Sequence, residues 1–274
     1  MDSTQALLTR LQQQAAVLVT VGSTQGSVPR EAGTWMAIFA NGVLGTIGGG
    51  KLEFEAIAHA RDVLTQPDPS HQPDRLPLLR RFPLGPSLGQ CCGGVVELQF
   101  ERLGAADVPA LAQRLLQRLQ PVALFGGGHV GAAIASILAT LPFSVTWIDS
   151  RDSIFPEALP LNIACEHSDP VQDAVRDLAP QSMVLIMSFS HAEDLDIVAA
   201  CLKRLRARND LPYVGLIGSK TKWATFRHRL ELRGYADAEL ARVTCPIGVP
   251  GVVGKEPEVI AVAVAAQLLQ QLRA

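Results

Sequence analysis

The chain is short of charge and almost without an excess of either sign. Its 24 Lys and Arg against 26 Asp and Glu give a formal net charge of −2 over 274 residues. Without a global basic field, the phosphate attraction behind non-specific nucleic-acid binding is missing, and no nucleic-acid partner is expected. Residues 1–5 show no basic segment leading into an apolar core, so they do not read as a signal peptide. No stretch approaches the roughly 20 uninterrupted apolar residues that cross a bilayer. The most apolar one, residues 122–145, is broken by glycines, His129 and Pro142. No membrane partner is expected either. Cysteines number five, an odd count, and only Cys91 and Cys92 are neighbours. A reduced, cytoplasmic protein is the simplest expectation. No Cys-x-x-Cys occurs, and a vicinal pair is badly placed to give one tetrahedral zinc two ligands, which disfavours a structural zinc. H-E-x-x-H and G-x-x-x-x-G-K-[ST] are missing too, which argues against a zincin and a P-loop NTPase. There is no internal repeat.

What is present is ample apolar material, 48% of the residues, in a length that suggests two domains. The first part mixes elements. Residues 4–14 read as a helix and 17–21 as a buried strand, followed by a loop over 22–33. Strands over 34–40 and 43–47 flank Asn41-Gly42, a strong hairpin signal. A helix follows over 51–64, then an exposed, proline-bearing linker over 65–75. Strands over 76–82 and 95–100 enclose a glycine-dense loop that carries both adjacent cysteines. Residues 1–103 are thus expected to form a small α+β domain, and residues 104–120 a connection whose helix spans 108–119. From 121 to 274 the texture changes: strands over 122–125, 144–148, 163–165, 184–187 and 213–217 alternate with helices. Such alternation predicts an α/β fold with a doubly wound parallel sheet covered on both faces. The last helix, 257–272, is apolar nearly all round, so it is expected to be buried and could support a homodimer.

Gly126, Gly128 and Gly131 form G-x-G-x-x-G between a predicted strand and a predicted helix. Asp149 ends the next strand, where an acid would meet a ribose. Gly126 allows the tight turn, Gly128 lets a pyrophosphate approach the backbone, and Gly131 lets helix and strand pack closely. Free amides at the helix start then face phosphate charge. His129 inside the turn and Arg151 beyond Asp149 could each reach a phosphate, or simply face solvent. A second glycine turn, Gly48-Gly49-Gly50 before Lys51 and Glu53, could form an anion nest, or could be only a hairpin exit and a helix start. Cys91 and Cys92 could be exposed thiols with a pKa lowered by Arg30, suited to a soft metal or sulfur chemistry, or two small buried hydrophobes. His191 follows Ser190 at a strand's carboxyl end and could serve as a base or phosphate donor. Lys220, Lys222 and Arg227 could neutralise a phosphate, or merely solvate a helix.

Several strings taken together resemble the XdhC family of xanthine dehydrogenase accessory proteins, over essentially the whole chain. They are Gly26-Ser27-Val28-Pro29-Arg30, the segment 45–50 with Glu53, Gly89-Gln90-Cys91-Cys92-Gly93-Gly94, the segment 125–131, the segment 190–195 with His191, the segment 215–219, and Cys245-Pro246-Ile247-Gly248. The resemblance implies a bacterial cytoplasmic protein, not itself an enzyme, that binds molybdenum cofactor (molybdopterin). It would hold the cofactor while its terminal sulfur is installed, then pass it to apo-xanthine dehydrogenase. Implied partners are the molybdenum subunit of that enzyme and a cysteine desulfurase. On this reading the pterin phosphate is expected near residues 126–131 and the molybdenum end near Cys91 and Cys92, in a cleft between the domains. A different expectation is an NAD-dependent oxidoreductase using the Rossmann-like domain. Asp149 favours NAD over NADP, but no clear acid or base stands beyond His191. A third is a docking scaffold with a vestigial glycine turn.

Overall fold

The computed structural model describes residues 3–66, 77–84 and 94–272. The chain separates into two units, Met1–Leu115 and Leu116–Ala274. In the first, β1 (Ala16–Gln25), β2 (Trp35–Phe39), β3 (Gly42–Gly45), β4 (Leu78–Pro83) and β5 (Val95–Leu103) form an antiparallel sheet in the order β3-β2-β1-β5-β4. Alternating side chains of β1 and β2 serve two cores. Val17, Val19, Val21, Met36 and Ile38 pack with Leu52, Ala56 and Ala60 of helix α2 (Gly50–Thr65). Leu18, Ala37 and Phe39 pack with Leu7, Leu8 and Leu11, of helix α1 (Ser3–Leu11), and with Leu111 of α3 (Val108–Leu116). The helix expected as a connector therefore buries its apolar side in the first unit.

Two details differ from the expectation. The first strand does not end at Val21: a register shift between Val21 and Ser23 lets it continue against β5 as far as Gln25 opposite Val95. In the β2–β3 hairpin Phe39 pairs with Gly42, so Ala40 and Asn41 make the two-residue turn and the glycine opens β3.

The second unit holds a six-stranded parallel sheet: β6 (Gln120–Phe125), β7 (Phe143–Asp149), β8 (Ile163–His167), β9 (Met183–Ile186), β10 (Tyr213–Leu216) and β11 (Val243–Thr244). Its order is β11-β10-β9-β6-β7-β8. The chain winds outward from β6 through β7 and β8, then crosses back to β9, so the order reverses between β6 and β9. One face is covered by α4 (His129–Leu138) and α8 (Pro257–Gln271). Val122 and Leu124 point there, with Ile134, Leu138, Val264 and Leu268. The other is covered by α5 (His191–Arg208), by Phe226 and Leu230 of α6 (Lys220–Leu232), and by a 3-10 segment, Val171–Arg176; Ala123 and Phe125 point there. This is the expected doubly wound architecture. The 3-10 segment, the short α7 (Asp237–Leu240) and β11 were not anticipated, because so few residues leave no periodicity to read. No described helix is long and apolar enough to cross a membrane.

Candidate functional site

The carboxyl ends of β6, β7, β9 and β10 gather most of the residues singled out in the second unit. At the end of β6 the backbone turns through Gly126 at φ 121°, a conformation that favours glycine. A side chain there would run into the Met187 carbonyl oxygen after β9. The Gly126 carbonyl is fixed in turn by the buried Trp147 indole, whose Nε1 donates to it at 2.9 Å. Gly131, in the first turn of α4, lies so close to that same carbonyl that any Cβ would overlap it. Two glycines are therefore explained by packing alone. Gly128 is different: it is exposed, has ordinary backbone angles, and a Cβ there meets nothing within 4 Å. It is the N-cap of α4 and gives no side-chain cap, whereas Ser190 and Ser219 cap α5 and α6 through the Glu193 and Lys222 amides. The first-turn amides of α4 have no intrahelical acceptors and carry the positive end of the helix dipole. His129 opens that helix, exposed.

Asp149, at the end of β7, is 2% exposed and fully engaged. Its Oδ2 accepts from the Gly127 amide at 2.6 Å and from Arg151 Nη2 at 2.8 Å. Its Oδ1 accepts from the Arg151 amide at 2.9 Å and Nε at 2.8 Å. Burial works against this carboxylate, but Arg151 and the Gly127 amide more than offset it and hold its pKa below the usual value. The Arg151 guanidinium lies over the Phe189 ring, 4.7 Å from its centroid. Glu193 ties the loops after β7 and β9 together, accepting from the Ser150 hydroxyl at 2.6 Å and the Phe189 amide at 3.1 Å.

A second buried pair stands one strand along. Asp194 accepts from Lys222 Nζ at 2.5 Å, and from the Ser188 amide and hydroxyl at 2.8 and 2.7 Å. Lys222 also donates to the Ile217 carbonyl at 2.8 Å. Lys222 is thus already paired, and so is Arg227, with Glu231 and Asp237. Lys220 and His191 are exposed at helix starts, the His191 ring edge-on to Phe226. Cys245, after β11, places its Sγ 3.7 Å from the Gly218 carbonyl; burial pushes its pKa up against the pull of Lys222, so it stands as a thiol. Glu193, Asp194 and Cys245 lie inside strings that carried the family resemblance but were given no role of their own, and Trp147 had no sequence signal as a site residue.

In the first unit the Gly48-Gly49-Gly50 turn has all three residues at positive φ. Glu53 folds back onto it: its Oε2 accepts from the Thr46 hydroxyl at 2.6 Å and from the Ile47 and Gly49 amides at 3.1 and 3.0 Å. The Gly48 amide donates to Thr46 Oγ1 at 3.1 Å. An internal carboxylate thus takes the Gly49 amide, and the Thr46 hydroxyl takes that of Gly48. Arg30 is exposed beside it: a Cβ on Gly48 would come 2.7 Å from Pro29 Cβ and 3.4 Å from Arg30 Cγ. Cys91 and Cys92 lie outside the described residues. The string Gly85-Pro86-Ser87-Leu88-Gly89 fits G-x-S-x-G, and it too lies outside the described residues. Among the described residues, no three His, Cys, Asp or Glu side chains cluster closely enough to hold a metal ion.

Comparison with known proteins agrees with this architecture. A family model described as the XdhC Rossmann domain matches residues 122–268, and one described as the XdhC and CoxI family matches residues 9–72. The uncharacterized protein YqeB of Escherichia coli K12 is 27% identical over 257 residues, which are 92% of this chain and 43% of that protein. The chain therefore spans less than half the length of that curated relative. Among solved structures, one described as a xanthine dehydrogenase from Bacillus halodurans superimposes with a TM-score of 0.72 at 19% identity, covering 100% of this chain and 96% of the other. At that identity the likeness is one of fold. A Rossmann-fold NAD(P)-binding family protein from Shigella flexneri gives a TM-score of 0.36 at 16% identity over 54% of this chain and 85% of its own. With the Rossmann-domain model covering more than half of its residues, the chain belongs to the XdhC family.

Proposed function

We propose that the chain is an accessory protein of xanthine dehydrogenase maturation: it binds molybdopterin as cargo, holds it while the terminal sulfur is installed, and delivers it to the apo-enzyme. Membership of an accessory family suggests the maturation role. The observation that carries the binding half is the α4 turn. Uncapped amides, with open space above Gly128 where a side chain would otherwise stand, suit a phosphate group, which the pterin bears. Gly128, His129 and the amides of the first turn would hold that phosphate. Cys91 and Cys92 are the soft ligands proposed for the molybdenum end, where the chemistry supplied is that of a metal bound by dithiolene sulfur. The proposed partners are the molybdenum subunit of xanthine dehydrogenase and a cysteine desulfurase, in the cytoplasm.

The test is co-purification from cells able and unable to make the cofactor, with molybdenum and pterin assayed per chain. Cofactor should accompany the chain only from the first. Cys91→Ala and Cys92→Ala, singly and together, should lower retention and delivery. If all three variants and Gly128→Ala retain and deliver cofactor as the parent does, the reading is wrong.

A further inference from the structure

In folds of this kind the acid at the end of the second strand accepts hydrogen bonds from a ribose diol, which needs both carboxylate oxygens open towards the ligand. Asp149 holds that position, but neither oxygen is open. The two Arg151 side-chain bonds, both 2.8 Å, form a fork across the carboxylate, with the Gly127 and Arg151 amides adding one donor to each oxygen. The guanidinium fork is pre-organised for this geometry, and the pair is charge-assisted. Arg151 is held in turn from its face by Phe189. Ile154, three residues on, closes over Gly127, where a Cβ would come within 2.7 Å of its Cγ1. The loop after β7 thus covers the ribose side of the glycine turn, while the Gly128 side stays open.

We propose that Arg151 sets the ligand class of the glycine turn: by occupying Asp149 it refuses ligands that need a ribose diol there, NAD and NADH included, and leaves the turn to a phosphate ester without a ribose. This rests on the proposed function only for the cargo's identity, and narrows that cargo to molybdopterin lacking an appended nucleotide. Arg151 is a specificity residue in this account. Displacing it would leave the buried Asp149 carboxylate without its cation, a cost that a ribose hydroxyl does not repay. Removing its fork by substitution, with the amide donors kept, lets a diol take its place.

The probe is NADH, titrated into the full chain and followed by energy transfer from tryptophan; Trp147 bonds directly to the turn. The parent should show no saturable binding up to millimolar NADH. Arg151→Met should bind NADH at least tenfold more tightly than the parent's limit, and adding Asp149→Asn should abolish that gain. Arg151→Lys, a gentler change that keeps the charge and loses the fork, should gain in the same direction if Arg151→Met fails to fold. Saturable submillimolar binding by the parent overturns the proposal. So does the lack of any gain in a folded Arg151 variant, since something else would then exclude the ribose. Because the readout involves no molybdenum, the chaperone reading can fail in its own test while this one stands, and the reverse.

Discussion

The three glycines of the α4 turn should separate cleanly when each is replaced by alanine. Gly126→Ala puts an L-residue at φ 121° and drives its Cβ into the Met187 carbonyl. Backbone strain of about 1–3 kcal/mol adds to overpacking of about 1–3 kcal/mol, so about 2–6 kcal/mol should be lost. Gly131→Ala overlaps the Gly126 carbonyl at a cost of about 1–3 kcal/mol, but helix propensity returns about 1 kcal/mol, which leaves a loss of about 0–2 kcal/mol. Gly128→Ala meets nothing and keeps ordinary angles. A gain of about 0.4–1 kcal/mol through the unfolded chain is balanced by a poorer N-cap. At about 2–4 °C per kcal/mol for a unit of this size, melting followed by circular dichroism should fall by about 4 °C or more for Gly126→Ala. It should fall less for Gly131→Ala than for Gly126→Ala and stay within about 2 °C for Gly128→Ala. The same Gly128→Ala should weaken cofactor retention about tenfold or more, because its methyl stands where a phosphate must approach. A Gly128→Ala protein as unstable as Gly126→Ala, or a Gly126→Ala protein that melts like the parent, would refute the assignment of packing to one glycine and access to the other.

Other outcomes follow from the same geometry. Lys222→Met strands the buried Asp194 carboxylate and should cost about 3–5 kcal/mol in denaturant unfolding, whereas the double variant with Asp194→Leu should cost less than the sum of the two; additive losses would show that the pair does not couple. Glu53→Ala removes the acceptor of three donors, and amide exchange at Ile47 and Gly49 should speed up, with a loss of about 1–3 kcal/mol; unchanged exchange would mean the turn holds itself. His59 has its pKa lowered, first by burial and then by Arg80, so the folded chain takes its proton less readily than the unfolded one. Its unfolded pKa is about 6.5, so stability of the first unit should fall as pH drops below that value, and His59→Asn should flatten the slope. A parent with no such slope between pH 7 and 5 would remove this histidine from the account.

Much of the second unit was legible because its signals are long and redundant. Apolar runs over 122–125 and 184–187 are too short for helices and read as buried strands, and a glycine pattern between a strand and a helix has few other uses. Side-chain alliances were not legible. Asp149 reads as an open ribose acid, and only the fold shows Arg151, two residues on, turning back to clasp it. Lys222 reads as a surface cation on a charged helix, yet the fold brings the first turn of α6 to the first turn of α5 and sets it on Asp194, twenty-eight residues earlier. In the first unit Glu53 reads only as an acid at a helix start, after a turn that could nest an anion; the three positive-φ glycines bend the chain so that it faces its own backbone. Periodicity reports which face is buried, but not which partner a polar group will find once long-range packing has placed it.

That allocation of partners bears on how an anion would be held. At the carboxyl edge of the parallel sheet, Arg151 is neutralised by Asp149 and Lys222 by Asp194, and Glu193 is engaged with Ser150 and Phe189. Both of these cations are therefore directed at the protein and not at a ligand. What remains open at Gly128, beside the exposed His129, is backbone: neutral amides backed by about half a positive charge from the α4 dipole. A lysine or arginine aimed at a phosphate would form charge-assisted bonds roughly twice as strong as neutral ones. Such a grip suits an enzyme that keeps its cofactor through many turnovers. A protein that must take an anionic cargo and surrender it to a partner is better served by amides that fix position and give little extra affinity, so the inward pairing of Arg151 and Lys222 is part of what would make release possible.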